Sequence, residues 1–210
     1  IDYIVEAEDL DYHSVFLVEH HFTGFGQVSA SLNLLTYLAA RTQRMRLGTA
    51  VVVLPWHNPV LLAEQAATVD LLSGGRLDFG VGKGYRANEF HGFNVKADEA
   101  QELFLESLEV IRRAWTSEER FTHIGKHWTF QDIVVEPPPI QNPHPPLWLA
   151  AGSDAGLNWA AENQFNLLLD QIASFTTIQE RFATYRAAVE SAGRVFDPMN
   201  VAVARALHIT

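Results

Sequence analysis

Two adjacent histidines, His20 and His21, follow a short apolar run of the sequence and come directly after Glu19. An imidazole titrates near neutral pH, so it can accept or donate a proton during an enzymatic reaction. In an extended segment the two neighbouring side chains point to opposite faces, which argues against their binding one metal ion together. The pattern therefore predicts that at least one of the two histidines faces a functional site, and a packing role stays open for the other.

Further polar side chains follow other apolar runs at the points where those runs end. They are 55–58 after the second run, 83–86 and Glu89 after the third, Gly152 and Ser153 after the fourth, and Asp170 and Gln171 after the fifth. In parallel α/β folds, binding and catalytic residues lie beyond the carboxyl ends of the strands. We therefore expect one composite site at this edge.

Each of these groups also has a purely structural interpretation. Ser153 is either a helix cap or, together with Gly152, part of an anion site at a helix start. Lys83 is a counter-charge for a phosphate, a Schiff-base lysine or a solvated residue. Its glycine neighbours favour the phosphate, because they allow a ligand to approach the backbone closely. Asp170 and Gln171 either cap a loop or face the site.

The elements that must position these residues are apolar runs that alternate with helical patterns. Strands are predicted at 14–18, 45–54, 76–82, 147–151, 166–170 and 200–209, and helices at 29–44, 59–72, 98–115, 153–163 and 177–192. This alternation predicts a parallel α/β fold, either an open sheet or a closed barrel. No GxGxxG dinucleotide fingerprint opens a helix, and we favour an incomplete (β/α)8 barrel with six strands. Residues 119–139 instead alternate aromatic and polar residues, which predicts a hairpin.

Composition excludes several classes of protein. The chain has 210 residues, no cysteine and a formal net charge of −10. The absence of cysteine excludes a disulfide framework and thiolate chemistry, and the acidic balance argues against nucleic-acid binding. No apolar run reaches the ~20 residues that span a bilayer and no signal peptide opens the chain, so we expect a cytoplasmic protein. Helical patterns at 32–40 and 61–72 carry little charge, which suggests a homodimer interface or an ordinary core.

Several motifs, in this order and at this spacing, resemble the bacterial luciferase-like family of flavin-dependent monooxygenases. They are EHHF at 19–22, LGTAVVVLP at 47–55, HNP at 57–59, AEQ at 63–65, SGGRLDFGVGKG at 73–84, NEF at 88–90 and PPLWLAAGS at 145–153. The resemblance extends from about residue 11 to residue 171 and rests on the order of the motifs rather than on any one of them.

The resemblance implies a (β/α)8 TIM barrel that binds FMN at its carboxyl-terminal face. Reduced FMN, supplied by a separate flavin reductase, would react with O2 to give a peroxyflavin that oxidises a small organic substrate. Counted against the family's strand order, the six strands are the second to the seventh. Residues 1–210 would then form a single barrel domain that lacks its first strand and its C-terminal part. The hairpin at 119–139 would be an insertion after the fourth strand and helix.

The resemblance also assigns roles by position. His20 matches the family's active-site histidine and Glu89 an acidic position near it, so these two are the predicted catalytic residues. The predicted cofactor-binding residues are Ala50 and Val51 against the flavin ring, Lys83, Gly152, Ser153 and Gly156 around the phosphate, and Gln171 at a strand end that faces the site. No metal ion is implied.

Gly82 stands where the light-emitting subunit of the family carries a reactive cysteine, so light emission is not expected. One alternative is an oxidoreductase of the same barrel family that uses a deazaflavin or FMN without oxygenation. Another is a flavin-binding protein without catalytic activity. A Schiff-base aldolase, with Lys83 as the nucleophile, is a further alternative.

Overall fold

The computed structural model describes residues 1–24 and 28–206. The chain divides into two compact units, Ile1–Pro145 and Pro146–Thr210. Each unit alternates helices with parallel strands, so the predicted α/β class is confirmed. Within the described part of the chain, each helix is too short or too polar to cross a membrane.

The first unit begins with a helix and contains most of the regular structure. Its helices are α1 (Asp2–Asp9), α2 (Ser31–Arg41), α3 (Pro59–Ser73), α4 (Ala87–Gly92) and α5 (Ala100–Thr116), and its strands are β1 (Ser14–Leu17), β2 (Arg46–Thr49), β3 (Val52–Val53), β4 (Leu77–Gly82), β5 (Phe121–Ile124) and β6 (Thr129–Ile133). Strand β2 pairs in parallel with β1 and β4, and β3 pairs in parallel with β4. All six residues of β4 are buried, as expected for a strand that is covered on both faces.

The predicted strand at 45–54 is divided in the structure. Ala50 and Val51, which are joined by a cis peptide bond, separate β2 from β3. A short 3₁₀ helix, Leu54–Trp56, follows directly. Pro55 has no backbone N–H to give to a neighbouring strand, so the strand ends before it.

Helix α3 shows how local sequence sets the boundaries of an element. The Asn58 side chain accepts hydrogen bonds from the N–H groups of Val60 and Leu61, and Pro59 occupies the first helical position. At the other end, Gly74 adopts a φ of 68°, a left-handed conformation that costs glycine little. The predicted helix at 59–72 is therefore confirmed. Helix α4 was not predicted, because six residues are too few to display helical periodicity.

One buried carboxylate anchors the loop before β2 to α1. Glu8 is 7% exposed, and its carboxylate accepts hydrogen bonds of 2.6 to 2.9 Å from the N–H groups of Gln43, Arg44 and Met45. Burial raises the pKa of Glu8, but these backbone bonds outweigh burial, so the pKa lies below its ordinary value.

The segment predicted as a hairpin is one. Strands β5 and β6 pair antiparallel. The carboxylate of Glu106 on α5 accepts hydrogen bonds from the N–H groups of His127 and Trp128, at 2.9 and 2.8 Å, and contacts the ring of His123. The turn of the hairpin is thereby fixed to α5.

The second unit consists of β7 (Leu147–Ala150), α6 (Asp154–Glu162), β8 (Asn166–Leu169), α7 (Phe175–Ser191) and β9 (Val201–Val203). Its three strands are parallel in the order β7-β8-β9, and α6 packs against α7. The predicted strand at 200–209 is shorter in the structure, because its partner β8 ends at Leu169, whose carbonyl accepts the last hydrogen bond from Ala204. Residues 207–210, including His208, lie outside the described residues.

Candidate active site

The structure brings the two predicted catalytic residues together. His20 follows β1, and its Nδ1 lies 3.1 Å from Oε1 of Glu89 on α4. The same oxygen accepts a 3.0 Å hydrogen bond from the backbone N–H of His21. Glu89 is 1% exposed, so its carboxylate is satisfied by these contacts rather than by bulk water.

This arrangement selects one tautomer of His20. Because Oε1 of Glu89 already accepts from His21, it acts as an acceptor toward His20 as well, and Nδ1 carries the hydrogen. The Nε2 atom of the neutral ring is then the one that can take up a proton. The ring is partly exposed, with a side-chain exposure of 21%, so a small molecule can reach it.

A second buried carboxylate, Glu19, binds two imidazoles at once. Its Oε1 lies 2.9 Å from Nε2 of His21 and 2.8 Å from Nε2 of His57, and its Oε2 accepts a 2.8 Å bond from the N–H of Val53. Burial raises the pKa of the Glu19 carboxyl, but the bonds from His57, His21 and Val53 outweigh burial, so its pKa lies below the ordinary value. Among the described residues, no cluster of three or more histidines and carboxylates is placed to hold a metal ion.

Sequence reasoning placed Glu19 and His57 after predicted strands, at the edge where the composite site was expected, but assigned a role to neither of them. Their pairing was hidden because 38 positions separate them in the chain.

Ala50 and Val51, predicted to contact the flavin ring, form a small half-exposed apolar surface at the end of β2. Val51 packs directly on the backbone of β4, since a Cβ at Gly82 would lie 2.6 Å from Cγ2 of Val51. Ala50 is held by a 2.7 Å bond from its N–H to the carbonyl of Leu17. A fixed, apolar and sterically open surface of this kind fits the face of a planar ring.

Lys83, predicted to bind phosphate, is exposed just beyond β4. Its Nζ donates a 3.1 Å hydrogen bond to Oε1 of Gln101 rather than contacting the His20–Glu89 pair. The partner is a neutral amide, so the ammonium charge is not cancelled by this contact. The following residue, Gly84, has a φ of 81° and leaves room for Trp56, whose Cζ2 would lie 2.9 Å from an added Cβ.

An aromatic cluster in the first unit packs against the ring of His21. Trp56 stacks on Phe93 with ring centroids 5.2 Å apart and meets Phe90 edge-on at 4.7 Å. Phe93 in turn contacts Phe22 at 5.1 Å and His21 at 4.7 Å. Sequence reasoning did not identify this cluster, because it depends on α4 and the residues that follow it. The cluster covers part of the ring of His21, whose side chain is 13% exposed.

In the second unit, the predicted phosphate turn is the start of α6. Oγ of Ser153 accepts a 3.2 Å bond from the N–H of Gly156 and so caps the helix. Gly152 lies against a guanidinium, since a Cβ there would be 3.0 Å from Cζ of Arg181. Arg181 also bonds to Asp170 at 2.6 Å. The helix start and this guanidinium together provide N–H donors, while Asp170 balances the charge of Arg181.

Asp170 and Gln171 follow β8 and are both exposed. Asp170 caps its own loop through 2.8 Å bonds from the N–H groups of Ile172 and Ala173. The backbone bond from Ala173 is the largest cause that lowers the pKa of Asp170. Gln171 is contacted through its carbonyl, which accepts a 3.0 Å bond from Arg205. Asp170 therefore has the loop-capping role that the sequence left open beside the site role.

Comparison with known proteins identifies the family of this chain. The family model for luciferase-like monooxygenases matches residues 1–210. The oxygenase component of the flavin-dependent trigonelline monooxygenase from Acinetobacter baylyi is 32% identical over 74% of this chain and 43% of that protein. The crystal structure of monooxygenase RslO1 from Streptomyces bottropensis has a TM-score of 0.87 at 32% identity, covering 94% of this chain and 60% of that chain.

A third likeness concerns the fold alone. The oxygenating constituent of 3,6-diketocamphane monooxygenase from Pseudomonas putida, in complex with FMN, has a TM-score of 0.87 at 20% identity and covers 96% of this chain and 59% of that one. The chain thus has the α/β fold of luciferase-like TIM-barrel proteins and corresponds to a part of it. It spans about half the length of the curated relatives that it matches. On these grounds, the chain belongs to the luciferase-like monooxygenase family.

Proposed function

We propose that this chain is part of an FMN-dependent monooxygenase that oxidises a small organic substrate with O2. The observation that carries the proposal is the His20–Glu89 pair, in which a buried carboxylate holds Nδ1 and leaves Nε2 as the proton-accepting atom. In a monooxygenation, one oxygen atom enters the substrate and the other leaves as water, so a group that moves protons is needed.

Each unit, taken by itself, carries residues with the chemistry that a part of FMN requires. In the first unit, Ala50 and Val51 present a fixed apolar surface that suits the flavin ring, and Lys83 offers an ammonium charge. In the second unit, the start of α6 and Arg181, which is paired with Asp170, offer the N–H donors that a phosphate requires. FMN, bound in its reduced form, would supply the electrons that activate oxygen.

The roles of the protein side chains follow from their contacts. His20 would hold or deliver a proton at Nε2, and Glu89 would fix the ring and stabilise its protonated form. The aromatic cluster of Trp56, Phe93 and Phe22 would keep water from the reacting groups. Rings of this type also suit an organic substrate with apolar surface.

Two further parts of the proposal concern partners. One relative is named as an oxygenase component, so we infer that a separate reductase supplies reduced FMN here. The exposed leucines Leu61 and Leu72 of α3 support a homodimer in which a second copy covers this face.

The test is a titration of the full chain with reduced FMN under anaerobic conditions, with reduced deazaflavin in a parallel titration. We expect tighter binding of reduced FMN. Addition of ¹⁸O2 with a panel of small organic substrates should then place one labelled oxygen atom in a product. Preference for the deazaflavin without label in any product would indicate a dehydrogenase. Binding without oxygen consumption would indicate a flavin-binding protein.

A further inference from the structure

Glu19 is a buried carboxylate of the first unit that has no assigned role. The residue is 3% exposed, and its carboxylate contacts two imidazoles and one backbone N–H. A carboxylate oxygen that accepts from Nε2 of both His21 and His57 requires a hydrogen on each of these atoms. Both rings are therefore Nε2–H tautomers, and in the neutral rings Nδ1 is the basic atom.

The contacts of Glu19 lead directly to the predicted catalytic pair. The ring of His21 is bound to Glu19, while the backbone N–H of His21 is bound to Oε1 of Glu89. That same oxygen contacts Nδ1 of His20. A displacement of His21 would therefore move the acceptor that orients His20.

The second oxygen of Glu19 contacts the segment that follows Ala50 and Val51, the residues predicted to lie against the flavin ring. Oε2 accepts from the N–H of Val53, the second residue of β3, which lies two positions beyond Val51. The His57 ring is bound to the other oxygen and follows the short 3₁₀ helix after β3. One carboxylate thus connects the histidine segment, β3 and the residues after it.

We propose that Glu19 is a positioning residue of this site, which fixes the tautomers of His21 and His57 and thereby holds His20 and Val51 in their relative places. This inference rests on the proposed function, because it concerns how well the site carries out that reaction. Glu19 is not required to touch substrate or FMN. Its effect passes through His21 and Val53, and a displacement of about 1 Å at a reacting group costs up to ~100-fold in rate.

The first experiment compares the wild-type full chain with Glu19→Gln by ¹⁵N NMR, without any flavin. The wild type should show His21 and His57 as Nε2–H tautomers. The glutamine amide keeps one acceptor oxygen and replaces the other by an N–H donor, so either the two imidazoles or the N–H of Val53 must lose their acceptor. The ¹⁵N resonances of the two rings or of the Val53 amide should therefore change. Glu180→Gln, which neutralises an exposed carboxylate on α7, is the matched control and should leave all of them unchanged. Unchanged resonances of His21, His57 and Val53 in Glu19→Gln would overturn the proposal.

The second experiment measures turnover of reduced FMN and the fraction lost as hydrogen peroxide. In Glu19→Gln we expect kcat to fall about 10- to 100-fold and peroxide release to rise, with a smaller change in FMN affinity. The pH profile of kcat should also change, since Glu19 contacts the rings of His21 and His57 and is connected through the backbone N–H of His21 to Glu89 and His20, beside which Tyr85 lies. A kcat, peroxide yield and pH profile equal to those of the wild type would exclude the positioning role.

A second pair of variants keeps the inference testable if Glu19→Gln does not fold. In His57→Gln the side-chain amide can still donate to Glu19, whereas in His57→Leu it cannot. Positioning predicts that His57→Gln retains most of the activity and that His57→Leu loses it. Equal losses would assign proton transfer to His57 instead and would contradict the proposal. His91→Gln, on the exposed face of α4, is the control.

These experiments separate this inference from the proposed function. If the wild type shows both tautomers but neither binds reduced FMN nor oxygenates any substrate, the proposed function fails and the positioning role fails with it. If the wild type oxygenates and Glu19→Gln does so equally well, only the positioning role fails.

Discussion

Glu8 and Glu19 are buried carboxylates of the same unit, and different kinds of donor satisfy them. Within the described part of the chain, the carboxylate of Glu8 accepts from backbone N–H groups, those of Gln43, Arg44 and Met45. Glu19 accepts from one backbone N–H group and from two imidazoles. A backbone amide does not titrate between pH 5 and 8, whereas an imidazole does.

The difference separates a structural anchor from a site. Replacement of Glu8 would leave three backbone donors without an acceptor and so would affect folding first. Replacement of Glu19 would alter the tautomers and orientation of side chains that are available for chemistry. Burial of a charge is thus common to both regions, and the partners of the charge distinguish them.

The largest effect on activity should come from removal of the His20 imidazole, which the contacts of Glu19 help to orient. We expect His20→Ala to lower coupled oxygenation by about 10²- to 10⁴-fold, because general acid–base catalysis typically contributes that factor. FMN affinity should change little, which a titration with reduced FMN will check. Glu8→Gln, once folded, should keep its turnover. A loss of turnover as large in Glu8→Gln as in His20→Ala would remove the distinction between the two regions.

Truncation of Glu8, the structural anchor, should lower the free energy of unfolding. Glu8→Ala removes the acceptor of the three N–H groups in the loop before β2. We expect the free energy of unfolding to fall by about 2 to 4 kcal/mol, as for the loss of a buried hydrogen-bonded charge. Chemical denaturation measures this change. Glu162→Ala, an exposed carboxylate on α6, should be within about 0.5 kcal/mol of the wild type.

Lowering the pH should reduce the contribution of both carboxylates to the free energy of unfolding. The direction of this effect follows from their pKa shifts. The pKa of Glu8 and that of Glu19 are lowered in the folded protein. Each carboxylate therefore stabilises the fold above the pKa of the unfolded chain, about 4.3, and this contribution is lost as the pH falls through the folded pKa. In Glu8→Gln the free energy of unfolding should depend less on pH below about 4. If the free energy of unfolding of Glu8→Gln depends on pH as steeply as that of the wild type, Glu8 does not stabilise the fold through its charge.

The smallest effect is expected at an exposed charge. Lys83→Ala should weaken binding of FMN by about fivefold, because an exposed ion pair contributes about 1 kcal/mol at most. The fold should be unaffected, since its contact is to the exposed Gln101. Fluorescence titration at low salt measures the affinity. Lys96→Ala is the matched control, and equal affinities for both variants would exclude Lys83 from the phosphate site.

Much of the fold was predictable from sequence because its signals are local. The start of α3 is encoded by Asn58 and Pro59 and its end by Gly74. The six predicted parallel strands form, although the second is divided at Ala50 and Val51. The hairpin was predictable from alternation of aromatic and polar residues, because residues of one hairpin are close in the chain.

The site was predictable only in part, because its contacts connect distant positions. His20 and Glu89 were selected through the family's motifs, and their hydrogen bond spans 69 positions. The pairing of Glu19 with His57 has no local pattern, and the bond between Arg181 and Asp170 crosses a loop and a helix end. Helix α4 is too short for periodicity, so the aromatic cluster beside it was missed.

The attachment of the hairpin turn to Glu106 has a consequence for proteolysis. A protease must draw several residues around the cleaved bond into an extended conformation. The side chain of Lys126 is exposed, as trypsin requires, but the N–H of the next residue, His127, is bound to Glu106. Cleavage at the turn therefore has to wait until the turn separates from α5, so the rate at which trypsin cuts there reports how often this contact opens.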